Sequence, residues 1–256
     1  MALPKPVQAP IVQPDPDQAL LARMQQLAPA ADPGVLALAV EARACAVASG
    51  EVAPETRLAV IDYSRPSTDK RLWVFDVAND RLLYNEHVSH GQGSGDNYAN
   101  RFSNVEGSYA TSLGLYRTAE TYIGGNGYSL RMDGLDAGFN DNARMRAIVM
   151  HGAWYANPEL IPKQGRLGRS GVTTLACDQH MDVTQRFHGG DGFRDGVGSQ
   201  LAFVHVGKQQ NGHQITPASS LSFAISSSTE PTFTPALRPA GSTVLTTDSR
   251  GLTSTP

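Results

Sequence analysis

A series of short apolar segments between residues 57 and 206 most constrains how this chain can fold. Each segment is rich in Val, Leu and aromatic residues, and turn residues separate it from the next. Short runs of this composition are typical of β-strands. The segments are, in order, RLAVIDYS, KRLWVFDV, RLLYNEHV, GLYRTAETY, YSLRMDGL, RAIVMHGA and SQLAFVHV. Residues Ala78, Asn79 and Asp80 join the second to the third, which is a favourable hairpin connection.

Helices are predicted only ahead of these strands. Residues 17–28 and 33–49 form two short apolar segments, and the second begins at Asp32 and Pro33. Aspartate is a preferred residue before the first turn of a helix, and proline is favoured at the first helical position. The chain is therefore predicted to form a mainly β (α+β) domain with helices at its N-terminal end.

Composition sets the limits of the domain and of its partners. The 256 residues are enough for one sizeable domain with tails, and the net charge of −3 gives no electrostatic case for nucleic acid. No apolar run approaches the roughly 20 residues of a membrane span, so no transmembrane segment is predicted. The N-terminus also lacks the basic and apolar regions of a signal peptide.

The composition shifts twice along the chain, which predicts three regions. Residues 1–32 form a Pro-rich linker and a short helix, and residues 33–206 form the domain that carries function. Residues 207–256 are rich in Ser, Thr and Pro with little periodicity, which predicts a disordered tail that the domain does not need for folding.

The two cysteines do not form a disulfide framework. Cys45 lies on the second predicted helix and is interpreted as a small buried hydrophobe. The residues that share its helical face are Val35, Leu38 and Ala42. Cys177 lies in a Gly- and Thr-rich stretch downstream of His151. A buried thiol disfavours its thiolate, so Cys177 is the better candidate nucleophile.

Residues 149–170 carry the pattern that points to chemistry. They read VMHGAWYANPELIPKQGRLGRS and place His151 and Gly152 at the end of a strand-like segment. A histidine at a strand end can present its ring to a cleft from a rigid base. Glycines in the approach to Ser170 allow backbone N–H groups to come close to a ligand.

This stretch resembles the cysteine-dependent L,D-transpeptidases of the YkuD-like group, which cross-link bacterial peptidoglycan. The resemblance runs from about residue 32 to residue 170 and includes several motifs in the expected order. Residues 61–104 resemble the family's opening hairpin and its polar loop, and residues 107–152 resemble the central strands that lead to the catalytic His-Gly pair. The resemblance implies a catalytic β domain that acts by acyl transfer.

The nucleophile motif departs from the family pattern. In the family, the serine is followed by x-Gly-Cys-Pro, whereas Ser170 is followed by Gly-Val-Thr. An ungapped comparison puts Thr173 at the nucleophile position, but an internal threonine hydroxyl needs a strong base. Four residues later, Thr-Leu-Ala-Cys resembles the broader Ser/Thr-x-Gly-Cys signature and brings Cys177 to that position. A diverged or frame-shifted C-terminal third is the competing explanation.

The resemblance implies a role for each candidate site residue. Cys177 is the expected nucleophile and His151 the expected base of a thioester mechanism on peptidoglycan stem peptides. The expected substrate-binding residues are Gly152, Arg166, Arg169 and Ser170. Arginine forks bind carboxylates with two hydrogen bonds, and stem peptides carry carboxylates. No cofactor is implied, and the expected location is the periplasm or cell envelope.

Weaker signals leave other interpretations open. Residues that are candidates to line the cleft are His87, His90, Ser94 and Asn97. The pairs His87 with His90 and Cys177 with His180 lack the further ligands that a zinc site needs, so no metal site is predicted. The segments GQGSG and GGNG lack the context of a nucleotide site. A non-catalytic protein that binds wall peptides through the same fold remains the alternative function.

Overall fold

The structure is a computed structural model that describes residues 15–168 in full, together with the backbone of residues 175–177 and 201–206. The predicted Pro-rich start and the predicted tail at 207–256 lie outside the described residues. The three-region division of the chain therefore stays a prediction. In the described part of the chain, no helix is both long and apolar enough to cross a membrane.

The predicted helices and strands form in the predicted order, and the structure adds a short helix and a short strand after the sixth strand. The helices are α1 (Pro16–Leu27), α2 (Pro33–Ala48) and α3 (Ile161–Gln164). The strands are β1 (Arg57–Asp62), β2 (Leu72–Asp76), β3 (Arg81–Glu86), β4 (Gly114–Gly124), β5 (Gly127–Gly134), β6 (Val149–Gly152), β7 (Leu175–Cys177) and β8 (Leu201–Val206). The mainly β, α+β class is confirmed.

The cap predicted at the start of α2 is confirmed. The Asp32 carboxylate accepts hydrogen bonds from the backbone N–H groups of Gly34 at 2.7 Å and Val35 at 3.2 Å. These N–H groups have no partner within the helix, so the side chain replaces water there. Pro33 occupies the first turn, where it has no N–H to leave unpaired.

The described strands form one sheet in the order β3-β2-β1-β8-β4-β5-β6-β7. The β2–β3 hairpin forms as predicted, and Asp80 takes a positive φ of 49° in its turn. β8 lies between β1, to which it is parallel, and β4, to which it is antiparallel. The segment SQLAFVHV thus forms a strand, as predicted, and this strand lies at the centre of the sheet.

The sheet separates two hydrophobic cores. Alternate residues of a strand point to opposite faces. In β1, Leu58 and Val60 join the core shared with α1 and α2, whereas Ala59 and Ile61 join the core on the opposite face. Each face of the sheet thus has its own hydrophobic core, so the sheet is fixed in register from both sides.

Cys45 differs from its prediction as a buried residue. It is half-buried, whereas the buried side chains of α2 are Val35, Leu36, Ala39, Val40, Ala42, Arg43 and Ala46. This stripe is wider than one helical face because the helix packs on both α1 and the sheet. Cys45 lies at the margin of that stripe, where partial burial and nearby carboxylates raise the pKa of its thiol.

Candidate active site

His151 lies on β6, close to the edge of the sheet. The strand pairs antiparallel with β5, and His151 is opposite Ser129. The preceding residue, Met150, packs into the core on the helix-free face, which anchors the strand. The His151 side chain is 0% exposed. A rigid strand therefore holds the imidazole, as the sequence position suggested, but the ring is enclosed rather than open to a cleft.

One hydrogen bond sets the protonation of the ring. His151 Nδ1 lies 2.8 Å from the carbonyl oxygen of Gly152. A carbonyl only accepts, so Nδ1 carries the proton and Nε2 carries the lone pair of the neutral ring. Burial lowers the pKa of His151, and the Gly152 carbonyl opposes this in part. The ring is accordingly neutral near pH 7 and is able to accept a proton at Nε2.

Two side chains approach Nε2. Asn126 Nδ2 and Tyr155 Oη each lie 3.4 Å from this atom. The rings of Tyr155 and His151 meet edge to face, with centroids 6.3 Å apart. Both contacts are at the long limit of a hydrogen bond, so they orient the ring while binding Nε2 weakly.

Sequence reasoning missed both of these residues. Asn126 belongs to the GGNG segment, which forms the tight turn between β4 and β5, and Tyr155 follows β6 in a single-turn helix, Trp154–Ala156. The signal for Asn126 was a glycine-rich hairpin turn between two predicted strands. Only the pairing of β5 with β6 brings that turn to the histidine.

The strand that carries Cys177 pairs with the strand that carries His151. β7 runs parallel to β6, with Ala176 opposite His151 and Cys177 opposite Gly152. Neighbouring strands are separated by about 4.8 Å, so the Cys177 backbone lies beside the residue that follows the histidine. The sequence did not predict this short strand. The side chain of Cys177 lies outside the described residues.

The approach to Ser170 is fixed by its backbone. The N–H of Leu167 donates to Ser67 Oγ at 2.9 Å, and the N–H of Gly168 donates to the Tyr155 carbonyl at 3.0 Å. Gly168 has a φ of +126°, which requires glycine. Arg166 is half-buried, with its Nε 3.9 Å from Asp96 Oδ1. Arg169 and Ser170 lie outside the described residues.

His90, a candidate to line the cleft, is held in a structural network. His90 is buried, and its Nδ1 accepts a hydrogen bond from Arg71 at 2.8 Å. Its Nε2 donates to the Gly95 carbonyl at 3.2 Å. Burial and the charge of Arg71 lower the pKa of His90 to about 4. Both ring nitrogens are engaged, so His90 is not available to a metal.

Ser94 likewise has a structural hydrogen bond, and its place in a cleft stays a prediction. It is buried, and its Oγ accepts from the N–H of Thr111 at 2.9 Å. His87 and Asn97 are half-buried, and Asn97 Oδ1 accepts from Ser67 Oγ at 2.9 Å. Within residues 15–168, no group of three or more His, Cys, Asp and Glu side chains is arranged to hold a metal ion.

Fold and site together define a β domain that holds a neutral, buried histidine at a strand end, next to a short strand that carries a cysteine. The chain belongs to the L,D-transpeptidase catalytic domain family, whose profile matches residues 27–191. The match extends beyond residues 32–170 at both ends, and it includes Cys177. Comparison with curated proteins and with solved structures returns no match.

Family membership settles the function at a coarse level. The chain has an L,D-transpeptidase-type domain, for which the substrate is peptidoglycan. Members of the family typically act on the cell wall outside the cytoplasm.

Proposed function

We propose that this protein is an L,D-transpeptidase in which Cys177 is the nucleophile and His151 is the general base. The observation that most supports this proposal is the tautomer of His151. Its Nδ1–H donates to the Gly152 carbonyl, so Nε2 is the atom that accepts a proton. The backbone pairing of Cys177 with Gly152 supports the choice of nucleophile. Cys45 is on α2, away from the histidine strand.

The first half of the reaction forms a thioester. Nε2 of His151 takes the proton of the Cys177 thiol as the sulfur attacks the carbonyl carbon at the L-centre of the third stem residue. The C–N bond to the terminal D-Ala then breaks, and Nε2 returns the proton to the departing amine. A thiol has a pKa of about 8.5, so a neutral imidazole nearby raises its reactivity at neutral pH.

The second half transfers the acyl group. The amine of a neighbouring stem attacks the thioester, its proton passes to His151 Nε2, and the Cys177 thiolate leaves and is reprotonated. Water in place of the amine gives an L,D-carboxypeptidase. Backbone N–H groups around Ala176 and Cys177 are the proposed donors for the oxyanion of each tetrahedral intermediate.

Four further residues are proposed to bind the stem peptide. Arg166 and Arg169 supply guanidinium groups for its carboxylates, because a fork of N–H donors matches the two oxygens of a carboxylate. Gly152 is proposed as a close-approach contact and Ser170 as a polar contact. The looseness of the Arg166–Asp96 pair at 3.9 Å, with Asp96 almost fully exposed, supports a guanidinium that exchanges partners.

Release of D-Ala from a disaccharide tetrapeptide tests the mechanism. The unmodified protein and Cys45→Ala are expected to release D-Ala and to show an intact mass raised by the acyl group. Cys177→Ala is expected to do neither, because it has no sulfur to acylate. Activity that survives in Cys177→Ala contradicts this mechanism.

A non-catalytic wall-binding protein is the second candidate. The Gly-Val-Thr sequence after Ser170, in place of x-Gly-Cys-Pro, favours it. A thiol-reactive probe separates the two, because an activated thiolate labels fast at neutral pH and an ordinary thiol does not. Slow labelling of Cys177 in a folded protein that still binds muropeptides favours the second candidate. We propose the periplasm or cell envelope as the location for either function.

A further inference from the structure

Trp154 presents an exposed indole three residues after the proposed base. Its side chain is 62% exposed, although tryptophan is highly buried on average. It meets the buried ring of Tyr155 edge to face, with centroids 5.7 Å apart. Tyr155 in turn packs edge to face on His151. An aromatic series therefore runs from the base to the surface and ends in the indole.

The turn that carries Trp154 lies beside the strand that carries Cys177. Cα atoms of the Trp154–Ala156 turn lie within 8 Å of those of β7, the strand that carries Cys177. Three residues of extended chain span at most about 11 Å, which limits the distance between the Cα atoms of His151 and Trp154. Trp154 is therefore close to the proposed reacting centre but is not part of it.

Polar side chains follow the indole along the chain. The side chain of Asn157 accepts a hydrogen bond from the N–H of Glu159 at 2.9 Å, which holds this turn in place. The carboxylate of Glu159 is exposed. Amide and carboxylate groups are suited to hydroxyl ligands. Among residues 15–168, the cations that stack on aromatic rings lie over Tyr63, Trp73 and Tyr122, not over Trp154.

We propose that Trp154 is a stacking platform for a pyranose ring of the glycan to which the stem peptide is attached. This inference rests on the proposed function for its substrate. The C–H groups on one side of a pyranose carry partial positive charge, and the face of an indole is negative. A flat, exposed aromatic surface with polar groups beside it fits a sugar, which is apolar on its faces and polar at its rim. The platform would hold the glycan while the stem reaches Cys177.

Intrinsic fluorescence tests the platform without any need for catalysis. The chain has two tryptophans, and the other, Trp73, is only 1% exposed. Titration with the N-acetylglucosamine–N-acetylmuramic acid disaccharide, without a stem peptide, is expected to change the fluorescence saturably. The change should disappear in Trp154→Phe, which retains the Trp73 signal. No saturable change, or a change that survives in Trp154→Phe, overturns the proposal.

Kinetics then show whether the platform serves the reaction. Trp154→Ala is expected to lower kcat/KM about fivefold to tenfold on the disaccharide tetrapeptide, mainly through KM. The free energy of an aromatic contact corresponds to a change in affinity of about this factor. On the free tetrapeptide the loss should stay below about twofold, because the glycan contact is absent there. Trp154→Phe should restore most of the activity on the disaccharide substrate.

Phe139→Ala is the matched control. Phe139 is also exposed, but it follows the C-terminal end of β5. Ser129, the residue opposite His151, lies near the other end of that strand. It should affect neither substrate. Equal losses on both substrates in Trp154→Ala would overturn the proposal, because they would mean that the indole contacts the stem or supports His151. If the unmodified protein releases no D-Ala from either substrate, the proposed function fails, and the fluorescence titration alone decides on the platform.

Discussion

Two buried histidines of this domain, His90 and His151, differ in how their ring nitrogens are bonded. Burial lowers the pKa of both rings, so both are neutral near pH 7. His90 is bonded at both nitrogens, to Arg71 at 2.8 Å and to the Gly95 carbonyl at 3.2 Å. In His151, Nδ1 lies 2.8 Å from the Gly152 carbonyl, and Nε2 lies 3.4 Å from the side chains of Asn126 and Tyr155.

The difference shows that burial alone does not fix the tautomer of a histidine ring. The Arg71 guanidinium fixes the tautomer of His90 with the proton on Nε2, because a guanidinium only donates. The same guanidinium holds the Val88 carbonyl at 2.8 Å, so the ring is part of a structural network. In His151 the tautomer is reversed, and Asn126 and Tyr155 approach the atom with the lone pair at 3.4 Å. The same substitution made at each histidine in turn should therefore separate an effect on stability from an effect on activity.

The largest expected effect is the loss of activity in His151→Gln. A positioned general base contributes roughly 10²–10⁴-fold, so D-Ala release should fall by about that factor. His90→Gln should retain activity per folded molecule within about threefold, since this ring does not face the reaction. The rate is measured on the disaccharide tetrapeptide, with the folded fraction taken from circular dichroism. Comparable losses of D-Ala release in the two variants would mean that the two histidines do not differ in their importance for the reaction.

Acid should destabilise the protein through His90. Its pKa is about 4 in the folded state and about 6.5 when unfolded, so the unfolded chain binds more protons between these values. Stability is therefore full above about pH 6.5 and declines as the pH falls towards 4, by about 3 kcal/mol in total. Urea unfolding at pH 7 and pH 4.5 measures this. His90→Gln should show a shallower decline, and an unchanged decline would refute the assignment to His90.

At constant pH 7, His90→Leu should be the more destabilising of two matched substitutions. It leaves the Gly95 carbonyl and one Arg71 N–H without this partner, which costs about 1–3 kcal/mol of unfolding free energy. His151→Leu removes the 2.8 Å bond to the Gly152 carbonyl and the 3.4 Å contacts of Nε2 with Asn126 and Tyr155. It should cost under about 1 kcal/mol, because Gly152 is half-buried and water can replace the bond to its carbonyl. Chemical denaturation of both variants gives the order, and the reverse order would show that the β6 site also has a structural role.

The smallest effects are expected from Asn126→Ala and Tyr155→Phe. Each removes a contact to Nε2 at 3.4 Å, so kcat should fall about twofold to fivefold, with little change in the melting temperature. Asn142→Ala is a control for the asparagine substitution, because the Asn142 side chain bonds to the Asn104 carbonyl in another loop. A loss above about a hundredfold in Tyr155→Phe would mean that the hydroxyl takes part in proton transfer.

The sequence alone determined the parts of this protein that rest on local rules. The Asp32 cap, the hairpin at Asp80 and the apolar strands depend on neighbouring residues, so they are readable from the printed chain. The order of motifs up to the His-Gly pair also pointed to the family that the profile match establishes. Each of these signals is contained within a few residues or in their order.

Tertiary structure alone decided which polar residues meet. His90 and His151 are both next to a glycine in the sequence. Arg71 and the Gly95 carbonyl bind the two ring nitrogens of His90, whereas the Gly152 carbonyl leaves His151 with its lone pair at Nε2. Asn126 approaches the base because β5 pairs with β6, and Cys177 pairs with Gly152 because β7 joins the sheet beside β6. β8 lies at the centre because it pairs with strands far away in the chain. Such pairings depend on packing between distant segments, for which a single sequence carries no local signal.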